Sequence, residues 1–155
     1  MLVKDKTECT GKIKVIVRHD DGREEVHEFD NLVTSAGANL HRDSLYTPTD
    51  CIIRYIALGA DNTAPAIGDT QLGDERFRTP VTIQTPGGAG VLTTVAYIQA
   101  SEANDFTIEE IGWFAGPTAT ASADSGVLYA RALYNRAKVS SESLQIEREG
   151  TIGGV

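Results

Sequence analysis

Residues 106–114 read FTIEEIGWF. Taken as a strand, the stretch alternates its side chains between two faces. One face carries Phe106, Ile108, Glu110, Gly112 and Phe114; the other carries Thr107, Glu109, Ile111 and Trp113. A glutamate therefore sits among apolar neighbours, and an unpaired carboxylate is expensive to bury. Glu110 must serve catalysis, a metal or a structural ion pair.

The segments around it are also strand-like. KIKVIVRH (12–19) alternates, DDG (20–22) is hairpin-turn chemistry, and REEVHEF (23–29) returns, so residues 11–29 form a β-hairpin. CIIRYIALGA (51–60) is a strand in which Arg54 interrupts an apolar face of Ile52, Ile56 and Leu58. RFRTPVTIQT (76–85) is an edge or bulged strand because it contains Pro80. VLTTVAYIQA (91–100), VLYARALY (127–134) and SESLQIERE (141–149) complete the set, with Val127, Tyr129, Arg131 and Leu133 placed on one face. Between residues 31 and 48 the apolar spacing turns helical, Thr34 or Ser35 offers an N-cap and Pro48 closes the segment. One helix is expected near residues 35–46. The tail TIGGV (151–155) is apolar and unpatterned.

About eight strands in runs, with one helix, argue for a mainly β protein, an antiparallel β-sandwich rather than a parallel α/β fold. The 155 residues suggest a single domain, 1–155, long enough to bury a core. Its parts are an N-terminal hairpin (11–29), a core (31–135) and a C-terminal strand and tail (142–155). A two-stranded hairpin is marginal alone. Hairpin and tail are therefore expected to bridge to a neighbouring subunit, against the plainer reading in which they complete their own sheet.

Fourteen basic against 22 acidic residues give a net charge of −8. That balance is a poor match to nucleic-acid phosphate, so no nucleic-acid partner is expected. No run approaches the ~20 apolar residues of a membrane helix, so no membrane partner is expected. MLVKDKTECT (1–10) lacks the apolar run of a secretory leader, which points to synthesis in a cytoplasm. Cys9 and Cys51 make no disulfide framework, and either free thiols or one bridge fits them. His19, His27 and His41 show no metal-ligand spacing, so no metal and no cofactor is expected.

No nucleophile elbow, zinc-protease helix or P-loop is present in the sequence. Glu109 and Glu110, as strand neighbours, face opposite ways and cannot form a glycosidase pair. Asp61, Asn62 and Asp69 do not have calcium-loop spacing. The stronger reading pairs Glu75 and Glu110 with arginines, chiefly Arg78 and Arg131, because guanidinium suits buried bidentate pairing with carboxylate. ADNTAPAIGDTQLGDE (60–75) is a long loop with a helical turn expected around Thr70–Glu75. Loops of this length are usually functional or anchoring. Asp61, Asn62, Asp69 and Leu72 are candidate assembly contacts, on a loop expected to be mobile in an isolated subunit. Trp113, Tyr46 and Tyr55 are the candidates for a surface aromatic site.

The order NLVTSAGANL, IRYIALGADNTAPAIGDTQLGDERFR, FTIEEIGWF, GVLYARALY resembles the N-terminal domain of phage tail-collar fibre proteins and related small tailed-phage virion proteins. The positions that carry the likeness are Asn31, Thr34 and Gly37; Ala57, Leu58 and Gly59; Leu72, Glu75 and Arg78; Phe106, Thr107, Ile108, Glu110, Ile111, Gly112 and Phe114; and Gly126, Leu128 and Ala130. They span about two thirds of the chain. Two features depart from the family: its fibres continue into long shafts and receptor-binding tips where this sequence stops at residue 155, and a hairpin precedes the helix. The resemblance implies a non-enzymatic structural protein of the virion: a tail, collar or baseplate adaptor or fibre-attachment subunit. Such a subunit would be made in the bacterial host cytoplasm and assemble with other virion proteins, as a homo-oligomer with a trimer favoured. The alternatives are a capsid decoration protein and a carbohydrate-binding sandwich that recognises the host surface.

Overall fold

The computed structural model describes residues 6–154. Met1–Asp5, on which the leader reading partly rests, and Val155, the end of the tail, lie outside the described residues. The elements are β1 (Thr7–His19), β2 (Glu24–Asp30), β3 (Leu32–Val33), α1 (Ser35–Ser44), β4 (Ile53–Gly59), β5 (Glu75–Pro80), β6 (Ile83–Pro86), β7 (Val91–Ile98), β8 (Ile108–Ala115), β9 (Val127–Arg136) and β10 (Glu142–Gly154). They form two five-stranded antiparallel sheets, β2-β1-β10-β7-β6 and β3-β9-β8-β4-β5. The protein is a mainly β sandwich with one helix among the described residues.

Ten strands among the described residues replace the expected eight, partly because residues 76–85 are two edge strands rather than one. The Val81 N–H donates to Arg54 O of β4, and the next N–H, on Thr82, donates to Val95 O of β7. The chain thus changes sheets in one step, just after Pro80, whose missing N–H suits an edge.

The hairpin and tail expectations are overturned. Strand β1 is interior, flanked by β2 on one side and by β10 from Thr7↔Gly154 to His19↔Glu142 on the other. The tail TIGGV up to Gly154 continues β10 as one strand with SESLQIERE. Ile13, Val15 and Val17 point into the core and are essentially sealed from solvent. Two irregular-looking ends of the sequence therefore complete each other within one chain. The apolar tail had no visible periodic partner because that partner lies more than a hundred residues away.

Helix α1 begins as its cap signal suggests. Thr34 Oγ1 accepts from Gly37 N at 2.9 Å and donates to Leu128 O of β9. It ends at Ser44, two residues before the expected end, and Leu45 and Tyr46 are exposed beyond it. The helical turn expected at Thr70–Glu75 is absent; the loop instead turns at Ile67–Gly68.

Strand β8 is buried at nearly every position. Its inner face, Ile111, Trp113 and Ala115, joins the main core with Ile13, Val15, Ile56, Leu58, Ile98 and Ile146. Its outer face is covered too. Phe114 meets Ala57, Leu72, Ala119 and Leu128 in a second, smaller core with Tyr55 against it. A strand with both faces covered gives a near-continuous apolar run. The simple alternation fails at three places. Ile108 joins the inner core although Glu110, two residues on, faces outward. A register shift at Arg54 lets Ile53 turn inward while Arg54 leaves the face it was assigned and pairs with Asp50. A shift in β9 sends both Tyr129 and Ala130 inward, so Tyr129 does not share the face of Arg131. Each is an irregularity that one extra residue produces in a sheet.

Candidate functional site

The outer face of the β3-β9-β8-β4-β5 sheet carries two ion pairs, and each fastens a loop. In the first, Glu110 on β8 accepts from Arg131 Nε on β9 at 2.8 Å, with the two side chains 0% and 3% exposed. The remaining lone pairs of Glu110 go to backbone. Its Oε1 accepts from Asp74 N at 2.9 Å and Asp61 N at 3.3 Å, and its Oε2 from Gly73 N at 3.1 Å. The carboxylate therefore clamps both ends of the 60–74 loop. A Cβ at Gly59 would overlap Glu110 Oε1, so only glycine lets β4 pass this close to the carboxylate.

The middle of the loop is also held. Asp69 reaches Arg131 Nη1 at 3.2 Å and accepts from Ala66 N, and Ile67 O accepts from Ser35 N at the start of the helix. Asp61 accepts from Thr63 N, and hydrogen bonding to the Thr63 side chain first, then to its backbone N–H, holds the Asp61 carboxyl below its ordinary value. Leu72 is 2% exposed and fills the small outer core. Of the four residues expected to make assembly contacts, Asp69 and Leu72 thus act as fasteners, Asp61 is half-buried and held through its backbone N–H, and Asn62 is exposed. A loop fixed at both ends and in the middle is not the free segment that its composition suggests.

In the second pair, Arg78 on β5 grips Glu75 with two bonds, Nε to Oε1 at 2.6 Å and Nη2 to Oε2 at 3.0 Å. Arg78 Nη1 donates to Thr120 O and Ser125 O, and Glu75 Oε2 accepts from Asp124 N. The guanidinium lies 4.1 Å from the centroid of the Phe114 ring and 5.8 Å from that of Tyr55. This pair pins the polar 116–126 loop, which sequence composition suggests is flexible.

The aromatic candidates do not converge. Trp113 is fully buried in the main core, which removes it from the surface. Tyr55 packs under Arg78, and Tyr46 stands alone at 72% exposed.

Sequence spacing missed one cluster. His19, Glu25 and Glu142 meet at the end of the β1-β2 hairpin. Arg136 donates to both carboxylates, to Glu142 at 2.7 and 2.9 Å and to Glu25 at 2.9 Å, so a guanidinium already supplies the balancing cation. The Glu25 carboxyl is held down to about 2, first by its hydrogen bond with His19 and then by Arg136. His19 and Glu25 lie more than a hundred positions from Arg136 and Glu142, and no local pattern links the two pairs. Cys9 and Cys51 are free thiols.

No family model, curated protein or solved structure matches the chain. The likeness to tail-collar proteins rests on the motif positions alone. Several of those positions are the fasteners just described: Gly59, Leu72, Glu75, Arg78, Glu110 and Phe114.

Proposed function

We propose that the protein is a non-enzymatic structural subunit of a tailed-phage virion that works by docking to other virion proteins. The observation that carries the reading is the double lock on one sheet face. Two buried carboxylate–arginine pairs hold the 60–74 and 116–126 loops, and they use the residues that give the sequence its tail-collar likeness. Fixing polar loops in advance lowers the ordering cost of association. The acids and bases of these two pairs are spent on each other and on backbone groups, which suits a scaffold better than a reaction centre.

In this reading the subunit is an adaptor of the tail, collar or baseplate, or a fibre-attachment piece, and it assembles symmetrically, as a trimer. A capsid decoration protein uses the same physics at a different place on the particle. The carbohydrate-binding alternative loses its centre with the burial of Trp113. The test is mass spectrometry and immunogold labelling of purified particles from a host that carries the gene, together with the mass of the isolated protein in solution. Fixed stoichiometry in the particle supports the reading. Absence from particles, or sugar binding by a monomer, contradicts it.

A further inference from the structure

Three arginines with largely buried side chains, Arg78, Arg131 and Arg136, grip carboxylates. Arg148 does not. It lies on the inner face of β10, is 4% exposed, and has no carboxylate within ion-pair distance among the described residues. Its Nε donates to Asn31 Oδ1 at 2.9 Å, and its guanidinium lies 5.2 Å from the centroid of the Tyr129 ring. Neither Nη atom has a hydrogen-bond partner among the described residues. Burial pushes the Tyr129 hydroxyl up to about 12, so the phenol is neutral at pH 7 and does not supply the missing charge. Burial of a lone cation is costly, and proteins normally pair it.

The slot that holds this cation is specific. Gly11 and Gly150 are cross-strand partners, and a Cβ on either would overlap the guanidinium. The strands therefore leave out two side chains where Arg148 lies. In front of it opens a cleft of about 180 Å³ between the two sheets, lined by Arg148, Tyr129, Cys51, Ile52, Leu92 and Ile152. Ile52, Leu92 and Ile152 are exposed apolar side chains in its wall. A buried charge with free donors, at a small apolar cleft, is the usual plan of a ligand site.

We infer that this cleft binds a small organic carboxylate with an apolar body, its oxygens accepting from the Arg148 Nη groups and its hydrocarbon lying against Ile52, Leu92 and Ile152. A single guanidinium matches a monoanion, and the planar fork suits carboxylate. His41 and Gln84 also line the cleft, but Arg148 is its one permanent cation among the described residues, so a monoanion fits it better than an inorganic dianion. The site is independent of the two locks and of the proposed docking role.

The test uses isovalerate as the probe and isovaleramide, its neutral analogue of the same shape, as the control, at matched ionic strength. Isovalerate at about ten times its Kd is expected to raise Tm by about 3–5 °C and to shift the amide signals of Gly150 and Ile152, while the amide does neither. Arg148→Met is expected to abolish the response. The inference is overturned if acid and amide act alike, if isovalerate shifts no cleft signal up to about 0.1 M, or if Arg148→Met binds isovalerate as tightly as the parent. Should that variant not fold, the comparison of acid and amide on the parent protein decides.

Discussion

Glu110 Oε2 and Arg131 Nε lie 2.8 Å apart on adjacent strands, and the same carboxylate holds the amides of Asp61, Gly73 and Asp74. The pair faces the loop side of its sheet, away from the centre of the sandwich. Its role is to close a loop onto a strand. Glu110→Gln keeps the shape and removes the charge, which leaves the buried Arg131 with only the longer contact to Asp69 at 3.2 Å to balance it. A loss of roughly 3–5 kcal/mol is expected in urea unfolding. A variant as stable as the parent would show that the carboxylate does not carry the pair.

Arg78→Lys tests the second lock. Lysine cannot reproduce the two-pronged grip on Glu75 together with the bonds to Thr120 and Ser125. Limited proteolysis should then cut within residues 116–126 in the variant and spare that loop in the parent. Equal resistance would mean that the loop is held by other contacts.

Acid sensitivity should map to the Glu25–Arg136–Glu142 cluster. The Glu25 carboxyl is lowered from 4.5 to about 2 by His19 and Arg136, and that of Glu142 is lowered chiefly by Arg136. Carboxyls depressed in the folded state stabilise it above their unfolded value. That contribution fades as pH falls from about 4.5 towards 2. Melting temperature should drop across this window in the parent, and Glu142→Gln should flatten the drop. Parallel curves for the two proteins would place the acid sensitivity elsewhere.

Removing residues 1–29 should abolish folding. The truncation takes away β1, the partner of both β2 and β10, along with the buried Ile13, Val15 and Val17. Circular dichroism of the truncated chain is expected to lack the parent's β signal. A folded truncated core would restore the view of the hairpin as an appendage.

What could be read from the sequence follows physical range. The hairpin turn at Asp20–Gly22, the Thr34 cap and the candidate partners of Glu110 and Glu75 came from local chemistry or from residue types with few ways to be buried. The face assignments of Arg54 and Tyr129 failed because one extra residue in a strand inverts alternation, and nothing in a single strand announces it. Trp113 passed for a surface residue because its face, shared with Thr107 and Glu109, reads as the polar one, whereas it packs into the main core and the face of Glu110 and Phe114 is the outer one, covered by distant loops. The Arg148 slot needs Gly11 opposite Gly150, a register that exists only once β1 and β10 pair.

Amide hydrogen exchange at Asp61, Gly73 and Asp74, compared between the parent and Glu110→Gln, tests the loop-clamp role of Glu110 most directly. Slow exchange at these three amides in the isolated parent is expected, with marked acceleration in the variant while the amides of β1 and β10 keep their relative order. Fast exchange in the parent, or unchanged protection in the variant, would contradict it.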